Sequence, residues 1–296
     1  MTALDNVSAQ IQISPSVSIP QLGFGTFQIP PQNAQQAVES ALELGYRHID
    51  TACAYYNEAE VGAAIRASAL PRDEIFVTTK LRNADQGRDE AKRAFDASYK
   101  ALGLDKIDLY LIHWPLPSKN LYVDSWKVLL ELRDQGVIRA AGVSNFLPEH
   151  LERIITETGQ TPAVNQLEVH PRFSQPDVLA VCRQHGITVE SYSPLGQGAD
   201  LTDPVITGIA GKVGATPAQV VIAWHLNEGR IVIPKSVHAE RMKENLAAAS
   251  IQLSPEDLQA IDALNSPEGR IGGDPATFAF SQAREDEARR NNGLNE

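Results

Sequence analysis

Cysteine is nearly absent from this chain of 296 residues: Cys53 and Cys182 are the only two. That is too few for a disulfide framework or a cysteine-built metal site, and reduced thiols in a cytoplasmic setting are the default expectation. No apolar run approaches the ~18 residues of a membrane span. The opening Met1-Thr-Ala-Leu-Asp-Asn-Val lacks the basic-then-apolar order of a secretion signal. Basic residues are also scarce, 26 against 37 acidic ones, for a net charge of −11. Such a balance excludes a general nucleic-acid or membrane-surface binder, and any cluster that holds an anion must be local. No Gly-x-Gly-x-x-Gly, His-x-His or His-Glu-x-x-His occurs. The dinucleotide fingerprint of an open doubly wound sheet and the usual zinc motifs are therefore missing.

What the chain does have is a repeat of one unit, a short apolar strand followed by an amphipathic helix. Strands are expected from Leu22 to Phe27, Arg47 to Asp50, Phe76 to Lys80, Leu109 to His113, Ala140 to Asn145, Val164 to His170, Thr188 to Ser193 and Ile231 to Pro234. The helices between them have legible ends. Asn33, with Gln36 three residues on, has the spacing of a capping box, as do Asn57 and Glu60. Pro148 and Pro176 suit first turns, and Gly45, Gly103, Gly136, Gly159 and Gly186 suit C-terminal caps. Two helical patterns, near Val205 to Val213 and from Pro217 to Asn227, separate the seventh and eighth strands. Ala239 to Ala249 is the eighth barrel helix, and Ser254-Pro255 opens an extra one. Strict alternation implies a parallel sheet, and eight units imply a closed (β/α)₈ TIM barrel. Ile11 to Phe27, with Pro15, Pro20, Gly23 and Gly25, reads as a hairpin lid leading into the first strand. Barrels of this length commonly form one domain, so residues 1–296 are read as one, with a polar tail after about residue 281.

Four chemically distinct groups sit at strand ends. Asp50 ends the second strand, Tyr55 follows it in a tight loop, Lys80 ends the third and His113 the fourth. C-terminal strand ends are where barrels carry their chemistry. A phenol titrates near ~10 and is a weak acid at neutral pH; a nearby ammonium lowers that value, and burial raises it. Asp50 keeps Lys80 charged. His113 can donate a hydrogen bond to a substrate oxygen. Together they suit proton delivery to a carbonyl oxygen. Taken singly, each has a plainer reading: Asp50–Lys80 as a structural ion pair, His113 as a strand-end histidine, Tyr55 beside Tyr56 as loop packing. A metal-dependent hydrolase is the third possibility, with His48, Asp50, His113 and His170 near strand ends. It requires His48 to point into an interior that is normally apolar.

The run from Gly45 to Glu58, the strand ending in Lys80, Leu111-Ile-His113-Trp-Pro115, Gly142-Val-Ser-Asn-Phe146, Val164-Asn-Gln-Leu-Glu-Val-His-Pro171 and Ile233-Pro-Lys-Ser-Val237 occur in order. In this the chain resembles the aldo-keto reductases, most closely the bacterial 2,5-diketo-D-gluconate reductase branch. The likeness runs from about Ile19 to Asp274. It implies an NADPH-dependent oxidoreductase that reduces aldehydes or ketones to alcohols, with Asp50, Tyr55, Lys80 and His113 as the catalytic set and Tyr55 as proton donor. It implies nicotinamide contacts at Ser144, Asn145, Gln166 and Tyr192, and further cofactor contacts at Gly25, Thr26, Asp50, Ser193, Leu195 and Val237. The 2′-phosphate falls at Lys235, Ser236 and Arg241, and the adenine near Glu244 and Asn245, so NADPH is favoured over NADH. Phe27, Ala54, Arg82 and Trp114 match the substrate pocket. No metal is expected. The partner is a small carbonyl compound, dicarbonyls and keto-sugar acids included, and a monomer is the default. Some members serve instead as NADPH-binding regulatory barrels beside channels, which is the alternative from another class. Three positions depart from many relatives: Tyr56 stands where glycine is common, Arg82 where tryptophan is, and Cys53 where alanine is.

Overall fold

The computed structural model describes residues 9–279; the tail expected after about residue 281 lies outside them. Strands β1 (Gln10–Ser14) and β2 (Val17–Pro20) pair as an antiparallel hairpin. Eight further strands form one sheet: β3 (Phe24–Gly25), β4 (His48–Asp50), β5 (Phe76–Leu81), β6 (Ile107–Ile112), β7 (Ile138–Ser144), β8 (Val164–Glu168), β9 (Thr188–Tyr192) and β10 (Ile231–Val232). Every neighbouring pair is parallel, in the order in which the chain visits them. A parallel bridge from Leu22 to Val232 closes the sheet on itself. It is backed by the bonds Gly23 N to Val232 O at 2.9 Å and Val232 N to Gln21 O at 2.9 Å.

Ten helices are described: α1 (Pro31–Leu44), α2 (Glu58–Ala67), α3 (Arg88–Leu102), α4 (Tyr122–Asp134), α5 (Pro148–Thr158), α6 (Pro176–Gln184), α7 (Pro204–Val213), α8 (Pro217–Asn227), α9 (Ala239–Ala247) and α10 (Pro255–Asp262). Six of them, α1, α5, α6, α7, α8 and α10, open on proline, whose fixed φ and missing N–H suit a first turn. Among the described residues no single helix is long and apolar enough to cross a membrane. The barrel's apolar shell lies between sheet and helices, where Trp126, Trp224, Tyr110 and Ile112 are fully buried.

Three expectations about element ends are corrected. Asn33 lies inside α1, which Pro30 precedes, and Asn57 makes no capping bond although it precedes α2. The spacing was right in both places, but Pro31 sets the start of α1 and Asn57 is used to hold a loop. Several strands also end earlier than their apolar runs. Asn145 and Ser193 have φ of 62° and 46°, which turns the chain out of the ladder, and Pro234 has no N–H to offer one.

The hairpin is a plug rather than a lid over the site. Ile13, Val17 and Ile19 bury against Phe76, Leu109, Leu111, Ala140, Val164 and Ile231. Phe76, Val164 and Ile231 are first residues of their strands, so the hairpin fills the N-terminal mouth. Above the plug the interior turns polar, against the expectation of an apolar filling. His48, Asp50, Thr78, Lys80, Gln166 and Glu190 come from opposite sides of the barrel and are all buried.

Candidate active site

Past β4 the chain makes a 3₁₀ turn, Cys53–Tyr55, and Tyr56 takes a left-handed conformation at φ 58°. That conformation is the physical reason for glycine to be common there. Asn57 staples the loop: its amide donates to Thr26 O at 3.1 Å and Ile29 O at 3.0 Å, and Thr51 Oγ1 donates to it at 2.8 Å. Tyr55 is thereby carried back over the strand ends. Lys80 Nζ donates to Asp50 Oδ1 at 2.7 Å, Asp50 Oδ2 at 2.8 Å and Thr51 O at 2.9 Å, and it reaches Tyr55 Oη at 3.4 Å. The His113 ring meets the Tyr55 ring edge-on, 5.7 Å between centroids. The four residues expected to act together do stand together.

Electrostatics divides their labour. Burial pulls the Lys80 ammonium down, but Asp50 and Tyr55 outweigh it and hold it above the usual lysine range. Burial pushes Asp50 up, against the Lys80 charge and the hydrogen bonds from Lys80 and Gln166. Burial also dominates at Tyr55, which stays above its ordinary value although Lys80 opposes the rise. The phenol is therefore protonated throughout the neutral range. His113 is driven down to about 3 by burial and by Lys80, so it is a neutral imidazole. Its Nδ1 is buried without a hydrogen-bond partner among the described residues.

Beside this set lies a linked group of amide-bearing side chains. Ser144 Oγ donates to Gln166 O at 2.9 Å, and Asn145 Nδ2 donates to Ser144 Oγ at 3.1 Å and to His113 O at 2.9 Å. Tyr192 Oη donates to Asn145 Oδ1 at 2.8 Å. Gln166 Nε2 donates to Asp50 Oδ2 at 2.8 Å and Glu190 Oε2 at 3.0 Å. The strand-end residues expected to grip a nicotinamide thus share one patch with the tetrad.

The expected phosphate side fits a dianionic ligand. At Gly25 an added Cβ would stand 2.9 Å from Ile233 O, so the backbones touch there, and Thr26 Oγ1 is buried with no hydrogen-bond partner among the described residues. Lys235, Arg241 and Val237 are exposed, and among the described residues the two cations join no ion pair. Ser236 is buried and its Oγ is bonded within its own loop, accepting from His238 N at 3.1 Å. Ser193 and Leu195 are half-buried at the start of the loop after β9. Glu244 accepts from Thr216 Oγ1 at 2.5 Å, and Asn245 is buried. These residues fit an NADP-type dinucleotide.

At the mouth, Phe27 is half-exposed and lies 5.1 Å from the Tyr55 ring, and Ala54 belongs to the turn before it. Arg82 is paired with Asp85 at 2.9 and 3.1 Å, so its charge is matched locally. Burial and the Glu58 charge push the Cys53 thiol up to about 12. Trp114 stacks on Phe278, 4.1 Å between centroids and 17° between planes. Phe278 was not foreseen, because an aromatic in a loop far along the chain carries no periodic signal. Glu190 was also missed. His48 does point inward, but it meets Thr78 Oγ1 at 3.2 Å and Glu190 Oε1 at 3.4 Å. Among the described residues no three His, Cys, Asp or Glu side chains are grouped to hold a metal.

The model of the aldo/keto reductase family matches residues 21–266. The chain belongs to that family. A Mycolicibacterium smegmatis aldo-keto reductase is 52% identical over 275 residues, which is 93% of this chain and 100% of that protein. A Yersinia pestis protein named methylglyoxal reductase DkgA is 47% identical over 262 residues, 88% of this chain and 94% of that one. Among solved structures, a Gox0644 variant in complex with NADPH superposes with a TM-score of 0.89 at 45% identity, covering 92% of this chain and 99% of that one.

Proposed function

We propose that this aldo-keto reductase, an NADP(H)-dependent oxidoreductase, reduces small aldehydes and ketones to alcohols with Tyr55 as the proton donor. NADPH, when bound, supplies the hydride. Ser144, Asn145, Gln166 and Tyr192 would hold its nicotinamide end, and Lys235 and Arg241 its extra phosphate. The carbonyl oxygen is received between Tyr55 and His113. Neutral His113 orients it by a hydrogen bond, and Tyr55 gives up its proton as negative charge builds on that oxygen. Lys80 stabilises the phenolate left behind, and Asp50 keeps Lys80 charged at a site where burial alone would neutralise it. The aromatic mouth of Phe27 and Trp114 excludes water from the reacting oxygen.

The observation that carries this reading is Lys80 Nζ, which binds both Asp50 oxygens and still reaches Tyr55 Oη. A merely structural ion pair needs no phenol at the open end. Dicarbonyls such as methylglyoxal, on which the Yersinia relative is named to act, head the substrate panel, with keto-sugar acids beside them. NADPH oxidation by purified protein should be measured across that panel with Tyr55→Phe alongside. The variant should lose at least ~100-fold in turnover while NADPH affinity stays near that of the wild type. Undiminished turnover in the variant would remove Tyr55 from the mechanism. NADPH binding without turnover of any carbonyl would favour a regulatory barrel.

A further inference from the structure

Glu190 sits on β9 with no exposed surface, inside the barrel and beneath the reacting groups. An ionised carboxylate there is strongly disfavoured unless a cation meets it. Among the described residues no Lys or Arg pairs with it: Lys80 is committed to Asp50, Thr51 O and Tyr55. The contacts of Glu190 are Gln166 Nε2 at 3.0 Å on one oxygen and His48 Nε2 at 3.4 Å on the other. Gln166 in turn spends its second N–H on Asp50. The opposite amide orientation would set the Gln166 oxygen against the Asp50 carboxylate, so Asp50 fixes which way Gln166 faces and Glu190 accepts its remaining N–H. Glu190 is thereby one hydrogen-bonded residue away from the Asp50–Lys80–Tyr55 relay.

We propose that Glu190 is a positioning residue which accepts the remaining N–H of Gln166 and, by carrying a proton of its own, keeps a second negative charge away from Tyr55 during reduction. This rests on the reading of Tyr55 as the acid. The titratable and charged groups that face Glu190 are His48 and Asp50 on β4, Tyr55 in the loop after it, and Lys80 on β5. His48 is held neutral, driven down to about 3 chiefly by burial. Burial, then repulsion by Asp50, raises Glu190 to about 8. At neutral pH the layer therefore holds one anion, one cation and a neutral Glu190. Proton transfer from Tyr55 adds a single phenolate opposite Lys80. Once Glu190 ionises, that phenolate forms against a second anion, and Tyr55 becomes a weaker acid.

Glu190→Gln keeps the shape and the acceptor for Gln166 but cannot ionise. Two measurements on wild type and variant test the proposal. Infrared spectra of ligand-free protein should show a carboxylic-acid carbonyl band at pH 7 that fades through about pH 8 and is missing in the variant. The rate of carbonyl reduction, with chemistry limiting, should fall between pH 7 and pH 9 about tenfold more steeply in the wild type than in the variant. A wild-type spectrum without the band at pH 7, or parallel pH profiles that differ only by a constant factor, would overturn the proposal and leave Glu190 a packing residue. Wild-type protein that reduces nothing would sink the reductase reading and this proposal with it. The infrared band needs no turnover, so that failure is distinguishable from a wrongly assigned Glu190.

Discussion

Asp50 accepts three hydrogen bonds, two from Lys80 and one from Gln166, with almost no surface exposed. Removing its charge strands the Lys80 ammonium in the barrel with a carbonyl and a phenol for company. A buried pair broken on one side costs about 3–5 kcal/mol. Asp50→Asn should therefore lower stability by that amount in urea unfolding at pH 7, together with loss of turnover. A stable Asp50→Asn protein would mean that Lys80 sheds its proton once Asp50 no longer holds it, or that water reaches it from the mouth. At this scale the sequence was informative where a residue ends a strand, since Asp50, Lys80 and His113 are placed by their strand ends and Tyr55 by a loop only five residues long. It was uninformative about Glu190. Residues in parallel strands are buried on both faces, so alternation does not say which side chain enters the barrel. Asn57 shows the converse error: its spacing to Glu60 fits a cap, but tertiary contacts with Thr26 and Ile29 claimed the side chain first.

Two loops that border the site meet at the end of β8. Glu168 accepts from Ile271 N at 2.6 Å and Gly272 N at 2.7 Å, which ties down the segment that carries Phe278. His170 reaches the same carboxylate at 3.4 Å and, through Nδ1, Asp200 at 2.8 Å in the turn Gly196–Thr202 after β9. Burial lowers the His170 pKa, but the two carboxylates outweigh it and raise the value to about 9. The imidazolium therefore holds both loops at neutral pH. A histidine whose folded value exceeds its unfolded one gives stability that is complete below about 6.5 and lost as pH rises through about 9. His170→Gln should speed hydrogen exchange at pH 7 in residues 196–202 and 268–278 together, with α3 as an unchanged control. Loosening of one segment alone would show that the two are not joined through His170. As a plain strand-end residue His170 was legible from the sequence, but Asp200 and the 271–272 backbone that Glu168 holds were not, because they lie 30 and about 100 residues further along the chain.

The whole molecule carries a net charge of −11, which repels an anionic dinucleotide at long range. The repeat of strand and helix made the barrel legible, and closure of the sheet between Leu22 and Val232 brings β3 beside the loop after β10. That closure puts Gly25, from the start of the chain, against Ile233 and Lys235 near its end. Lys235 and Arg241 on this side are exposed and in no ion pair among the described residues. In the proposed reading they are what distinguishes a dinucleotide with a third phosphate from one without. An arginine fork and a lysine point charge each contribute about 1.5–3 kcal/mol in charge-assisted hydrogen bonds to such a group. Lys235→Ala and Arg241→Ala should each raise KM for NADPH by about 10- to 100-fold and leave KM for NADH within about twofold. The difference should shrink as salt is raised, because these side chains are open to solvent and screened. Equal losses with both cofactors would mean that the two cations serve the phosphates common to both, and the preference for NADPH would then have to come from elsewhere in the loop.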